Sequence, residues 1–367
     1  MTSIHQFKDS ILAQRLLDKT HQLNNSPQNT GQKPLHIMEV CGSHTLSIYK
    51  YGIDKLLPSY ISLLSGPGCP VCVTDTSYID LAVHLARDHN IIIATFGDML
   101  RVPGTQISLS TTRAHGADIR VVYTPLDCIS LAKLYPDKEI VFLGIGFETT
   151  APAIALTLKE AIAQSLNNLS MLFSLKTMPY AMESLIFDET LCIDGFICPG
   201  HVAAVIGSEP FEYLAQKYHI PMVIAGFECV DLIGAIYKLM LMINSKDYSC
   251  QNLYKRVVES KGNTNALTLL DEIFEIVDSS WRGLGIISKT GLSLKPEFNA
   301  FNALLKFNLT LPDVKVTPGC ICGSILKGIK KPIECPHYKT KCTPESPIGA
   351  CMVSSEGTCM NFYKYNN

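Results

Sequence analysis

Charge is scarce in this chain: 17% of its 367 residues are Asp, Glu, Lys or Arg, and the net charge is −2. No face-wide basic excess is available to grip a phosphate backbone, so nucleic acid is not expected as a partner. Long disordered tails are excluded for the same compositional reason. No apolar run reaches membrane-spanning length; the best, Leu232 to Ile243, is short and broken by Lys238. The first residues, M-T-S-I-H-Q-F-K-D, do not follow the basic-then-apolar pattern of a secretory leader. A cytoplasmic protein with no membrane association is expected. There is no G-x-x-x-x-G-K-[ST] loop, no G-x-G-x-x-G, no H-E-x-x-H and no C-x₃-C-x₂-C triplet. Those absences weigh against nucleotide-driven and radical chemistry. Tryptophan occurs once, as Trp281 in W-R-G-L-G, where a core or interface anchor is expected.

What is abundant is apolar residues (47%) and cysteine (14 residues). The first supplies real cores. The second needs another reason, because cytosolic proteins seldom carry structural disulfides, which leaves metal binding, catalysis and redox exchange. Six of the fourteen lie between Cys320 and Cys359.

From Leu35 onward, apolar strand-like runs alternate with segments of helical period. The runs are His36–Val40, Ser62–Leu64, Ile91–Thr95, Ile119–Tyr123, Glu139–Ile145, Met171–Leu175, Gly195–Cys198 and Met222–Ala225. Such alternation implies parallel sheets covered on both faces. Eight strands without a closure signal predict an α/β fold of two consecutive Rossmann-like parallel-sheet domains. The divisions read as follows: 1–34, an amphipathic helix (Ile4, Phe7, Ile11, Leu16, Leu17) and polar linker; 35–137, the first α/β domain; 138–310, the second, with a mostly helical extension from 232; and 311–367, a small cysteine-rich domain. That last segment is too poor in periodic apolar residues to build an ordinary core, so metal or disulfides are expected to hold it.

Nearly every unusual polar motif follows a strand: Cys41 with His44, Cys69 and Cys72, Gly97-Asp98, Glu148, Pro199-Gly200-His201 and Glu228. In open parallel sheets, ligands bind outside the carboxyl ends of the strands. These residues are therefore expected on one rim facing a cleft, although any one of them alone also suits an ordinary turn. Cys41 and the C-x-x-C pair each precede a helix, where the macrodipole is expected to lower a thiol's pKa. Cys41 and His44, three residues apart, could share a metal, or His44 could support one from behind. Cys69 and Cys72 read as a redox dithiol or half of a metal site.

The C-terminal thiols are Cys320, Cys322, Cys335, Cys342, Cys351 and Cys359. Wide spacing without paired knuckles favours a cubane iron–sulfur cluster over zinc, with six candidates for four positions. Cys128, Cys192, Cys198, Cys229 and Cys250 read as small apolar fillers.

At this point the strings M-E-V-C-G-S-H-T, G-P-G-C-P-V-C-V-T, T-F-G-D-M-L-R-V-P-G, I-G-F-E-T-T-A-P, G-F-I-C-P-G-H-V, W-R-G-L-G and C-T-P-E-S-P-I-G-A-C-M-V-S-S-E-G-T-C resemble the hydrogenase maturation family HypD. The resemblance runs from Met38 onward and leaves residues 1–34 unmatched. It implies two α/β domains with an iron–sulfur domain, and a [4Fe–4S] cluster on a C-x₁₄-C-x₆-C-x₁₆-C pattern, which Cys320, Cys335, Cys342 and Cys359 fit. Cys322 and Cys351 would then be non-ligands. It further implies a scaffold for the Fe(CN)₂CO moiety of [NiFe] hydrogenases. The partners would be a HypC-type chaperone and a HypE-type cyanide donor, which HypF supplies. Cys41 would hold the transient Fe(CN)₂CO iron with support from His44, and Cys69 and Cys72 would exchange electrons with the cluster. Two other readings of the residues stand beside this one: a stand-alone thiol–disulfide oxidoreductase, and a zinc-stabilised interaction protein.

Overall fold

In the computed structural model, residues 9–24, 34–310 and 319–366 are described. Eleven strands are named among them: β1 (Leu35–Glu39), β2 (Ile61–Ser65), β3 (Ile91–Thr95), β4 (Ile119–Val121), β5 (Glu139–Gly146), β6 (Leu169–Lys176), β7 (Gly195–Cys198), β8 (Met222–Ile224), β9 (Cys250–Asn252), β10 (Phe274–Trp281) and β11 (Gly285–Leu294). The class is the expected one, α/β with two sheets dominated by parallel pairs and a cysteine-rich C-terminal segment. Central strands such as I-I-I-A-T of β3 are buried along their whole length because helices cover both faces.

The strands are not shared out consecutively. One sheet runs β2-β1-β7-β8-β9, and the other β10-β11-β6-β5-β3-β4. The chain starts the first sheet, leaves after β2 to build most of the second, and returns to the first at β7. A division at 137/138 falls between β4 and β5, which belong to the same sheet. Period and spacing identify a strand but say little about its neighbours, because a helical crossover can return the chain to either sheet.

Each sheet reverses its direction of growth once, and the reversals carry the motifs. In the first sheet the reversal lies between β1 and β7, which are hydrogen-bonded neighbours; Cys41 follows one and Pro199-Gly200-His201 the other. In the second it lies between β3 and β5, whose ends carry Gly97-Asp98 and Glu148. Such reversals open a crevice beyond the strand ends.

The stretch after residue 232 is less helical than expected. F-E-I-V-D-S-S-W and G-I-I-S-K-T-G-L-S-L form an antiparallel hairpin, β10–β11, joined to the second sheet through β6. The β-branched residues and the R-G-L turn, with Gly283 at φ +74°, favour that hairpin over a helix. Trp281 is buried, as expected of an anchor, and its Nε1–H donates to Thr290 Oγ1 at 2.8 Å. At the N-terminal side, the helix Ser10–Asn24 packs on the helix Cys229–Ser245. It buries Ala13, Leu17 and Thr20, whereas Ile11 is 64% exposed; Ile4 and Phe7 lie outside the described residues. No helix among the described residues is long and apolar enough to cross a membrane.

Candidate thiol and metal centre

Cys41 sits where β1 ends and the helix Gly42–Tyr51 begins. Glu39, buried in the last strand position, fixes the corner: its Oε2 accepts the Cys41 N–H at 2.9 Å and its Oε1 accepts the Thr45 hydroxyl at 2.5 Å. The Gly66-Pro67-Gly68 turn after β2 presses on the same corner, with the Gly42 N–H donating to Gly68 O at 3.0 Å. A Cβ on Gly68 would stand 2.2 Å from Cys41 N, so only glycine fits. From the C-terminal segment, Glu356 closes the site; its Oε1 accepts the Ser43 hydroxyl at 2.6 Å.

The lowered thiol pKa expected from the helix start is not what this pocket produces. Burial, helped by the neighbouring carboxylates Glu356 and Glu39, pushes Cys41 up to about 12. The nearby backbone amides of His44 and Ser43 oppose this, the His44 N–H also donating to Cys41 O at 2.8 Å, but two amides do not replace lost hydration. Burial likewise lifts Glu39 to about 7 and lowers His44 to about 4. His44 Nε2 lies 3.0 Å from Gly226 O and 3.3 Å from Ala225 O. With two carbonyls as partners, Nε2 carries the proton of the neutral ring, leaving Nδ1 as a buried acceptor with no hydrogen-bond partner. The ring stands 4.9 Å from Phe227, on which His201 stacks at 4.0 Å.

Cys69 and Cys72 are joined as a disulfide at the four-residue helix Pro70–Val73, and both are buried, at 3% and 0% exposure. They pack in one continuous apolar core with Phe147, Trp281, Cys322 and Cys351. The C-terminal segment therefore folds back onto the C-x-x-C helix, its Ala350–Met352 turn touching Pro70–Val73.

All six C-terminal cysteines line one small cavity, whose remaining wall includes Ile325, Tyr338, Ile348 and Met352. Ile348 N–H donates to Cys342 Sγ at 3.3 Å, while Cys322 and Cys351 stand 3.6 Å apart, sulfur to sulfur. Sharing a hydrogen bond with Cys322, and then burial, push the Cys320 thiol far up. Among the described residues no three His, Cys, Asp or Glu side chains are arranged to hold a single ion. Four or more soft thiol donors around an apolar cavity, with an amide aimed at one sulfur, fit an iron–sulfur cluster.

The other rim residues divide. His201 joins His44 through Phe227, and Glu228 caps the helix after β8 and accepts the Tyr51 hydroxyl at 3.3 Å. Asp98 is exposed, and its charge helps raise the Glu356 carboxyl, after burial. Glu148 stands apart: it lines a different cavity, with Thr177, Tyr180, Glu183, Lys217 and Lys289, rather than the Cys41 corner. Its Oε1 accepts the Met178 N–H at 2.8 Å, and burial raises it to about 7. Sequence reading passed over Glu39, Phe227, Arg282 and Glu356. Glu39 had a signal, a carboxylate inside an apolar strand; Glu356 had none, because 313 residues separate it from Ser43. Of the filler cysteines, Cys128 and Cys198 are buried but Cys192 is exposed.

Residues 12–366 match the family described as HypD, hydrogenase formation hypA family. The hydrogenase maturation factor HypD of Rhodobacter capsulatus is 41% identical over 365 residues, 98% of this chain and 97% of that one. That of Cupriavidus necator is 42% identical over 373 residues (100% and 97%), and that of Escherichia coli 38% over 366 (100% and 98%). With likeness of this degree along its whole length, the chain belongs to the HypD family, and its role lies in hydrogenase maturation.

Proposed function

We propose that the chain is a scaffold on which iron receives its cyanide and carbonyl ligands before delivery to a [NiFe] hydrogenase. The observation that carries this reading is the continuity of three thiol sites. Cys41 abuts the Gly68 turn, Cys69–Cys72 follows that turn, and the disulfide shares one packed core with the cysteine nest. The iron is cargo, held between Cys41 and a cysteine of a HypC-type partner; a HypE-type protein, supplied by HypF, donates cyanide. Burial keeps Cys41 protonated until a metal displaces the proton. The amides of Ser43 and His44 at the helix start then favour the thiolate, and neutral His44 supports the pocket without adding charge. Cys320, Cys335, Cys342 and Cys359 would hold a [4Fe–4S] cluster, which supplies or accepts single electrons. Cys69 and Cys72 take up two electrons and two protons on going from disulfide to two thiols, and return them on closing. Cys322 and Cys351 lie in the same core, where a further thiol pair would stand between the two.

A stand-alone thiol–disulfide oxidoreductase needs a pair that a disulfide substrate can reach, and burial of both sulfurs speaks against it. The test is infrared spectroscopy on the anaerobic complex with the HypC-type partner. Wild type should show cyanide and carbonyl bands, and Cys41→Ala should lose them while keeping its iron–sulfur absorption. Bands that survive at full intensity would put the iron elsewhere.

A further inference from the structure

The W-R-G-L-G turn brings more than a tryptophan into the core. Arg282 is 7% exposed, and its guanidinium bonds to carbonyls: Nε to Thr74 O at 2.7 Å and Nη2 to Pro103 O at 3.4 Å. Its backbone N–H donates to Val73 O at 2.8 Å. Val73 and Thr74 end the short helix of the Cys69–Cys72 disulfide, so Arg282 is fastened to that helix from behind. On its other side the turn meets the cysteine nest. A Cβ on Gly283 would stand 2.5 Å from Gly323 Cα, and one on Gly323 would stand 2.3 Å from Gly283 O. This backbone-to-backbone approach sets Arg282 beside Cys322, the residue before Gly323. After burial, the groups that act on its charge are Cys322, Asp75, Cys351 and Cys320.

A buried cation bonded only to neutral carbonyls is costly unless an anion lies close. No carboxylate comes within ion-pair distance of Arg282 among the described residues. Asp75 is the carboxylate that acts on its charge, but it accepts from Ser77 and Ser280, and it also faces the buried Lys176. Two buried cations thus surround one carboxylate. The nest of thiols is the place from which the missing negative charge can come.

We infer that Arg282 is a positioning residue for electron transfer, a fixed cation that makes the adjoining cysteine nest easier to reduce. The inference rests on the reading that an iron–sulfur group is held there. In the step, one electron passes to that group from an external low-potential one-electron reductant; no bond breaks and no proton moves. The nest gains one negative charge, and the guanidinium, which stays protonated at any working pH, stabilises it.

The test is a redox titration of the anaerobically purified full chain against dithionite, read by visible absorption and electron paramagnetic resonance. Arg282→Gln should lower the ratio of reduced to oxidised cluster at a fixed potential about tenfold, a midpoint about 59 mV more negative for a one-electron couple. Iron and sulfide per chain should be unchanged. Arg282→Lys, which keeps the charge, should recover most of the shift, and Asp75→Asn, which removes the offsetting carboxylate, should move the midpoint the other way. An arginine that only holds the turn in place would leave the midpoint of the loaded protein where it was, and that result overturns the inference. Should Arg282→Gln fail to load, Asp75→Asn decides: a positive shift supports the fixed-cation role and an unmoved midpoint ends it. Wild-type protein without iron and sulfide would instead overturn the cluster reading, and the inference with it.

Discussion

At the scale of single residues, the folded chain holds several ionisable groups away from water and tolerates the cost. Glu148 is the clearest case outside the thiol sites. Its Oε2 is buried without a hydrogen-bond partner, and its pKa stands at about 7 against an ordinary 4.5. A carboxyl with a raised folded pKa holds its proton longer in the native state than in the unfolded one. Its contribution to stability is therefore intact below about pH 4.5 and is lost as pH rises through about 7. Glu148→Gln copies the protonated form. It should change little at the acid end and stabilise the fold above pH 8 by on the order of 3 kcal/mol. Thermal unfolding of wild type and variant across that range checks this; a gain independent of pH would mean that ionisation of Glu148 is not what costs stability. Cys41 obeys the same rule with a different use. The helix start that suggested an acidic thiol is present, with its amides in place, but burial among carboxylates outweighs it.

At the scale of elements, the positions of strands were legible in the sequence, and their partners were not. The runs at Ile91–Thr95 and Gly195–Cys198 stand as read, because continuous β-branched and aromatic stretches bounded by Gly and Asp leave little choice. The β10–β11 hairpin was missed because the two helices before it, Cys229–Ser245 and Thr264–Ile273, carry helical period up to Phe274. The site shows the same split. Cys41, His44, Cys69 and Cys72 announce themselves by strand-end position and spacing, whereas Glu356 and Arg282 arrive from elements distant in the chain. The Gly66-Pro67-Gly68 turn can be tested directly. A Cβ at Gly68 would strike the backbone of Cys41 and Val40 at 2.2–2.4 Å, whereas one at Gly97 would meet only Val121 Cγ1 at 3.7 Å. Gly68→Ala should destabilise by on the order of 3 kcal/mol and diminish the cyanide and carbonyl bands, while Gly97→Ala should be nearly neutral. Equal behaviour of the two in denaturant melts and infrared spectra would show that the turn does not set the position of Cys41.

At the scale of the whole molecule, residues 319–366 act as a cover fastened to both sheets. Arg101 Nη1 donates to Pro344 O at 3.0 Å, Lys327 pairs with Asp188 at 2.7 Å, and Lys55 Nζ donates to Tyr365 O at 3.2 Å. The helix Thr358–Tyr365 lies on the helix Gly42–Tyr51, with Phe362 edge-on to Tyr49, and Glu356 reaches Ser43. Yet the cover has little apolar core of its own, essentially Tyr338, Cys342 and Met352. A segment built this way depends on what its sulfurs hold. Cys342→Ala should therefore do two things at once. It should bleach the anaerobic protein, and it should loosen the cover enough to lift Glu356 away from the Cys41 corner. Iodoacetamide labelling read by mass spectrometry would then find Cys41, buried in the wild type, modified at least several-fold faster, together with new proteolytic cuts confined to residues after 319. Cys322→Ala removes a thiol that the C-x₁₄-C-x₆-C-x₁₆-C pattern does not use, and should leave colour and Cys41 protection close to wild type. Cys342→Ala protein that keeps its iron, sulfide and colour would defeat the ligand assignment. Protein that bleaches while Cys41 stays as slow to label as before would show that the cover is held by its contacts with the two sheets and not by the cluster.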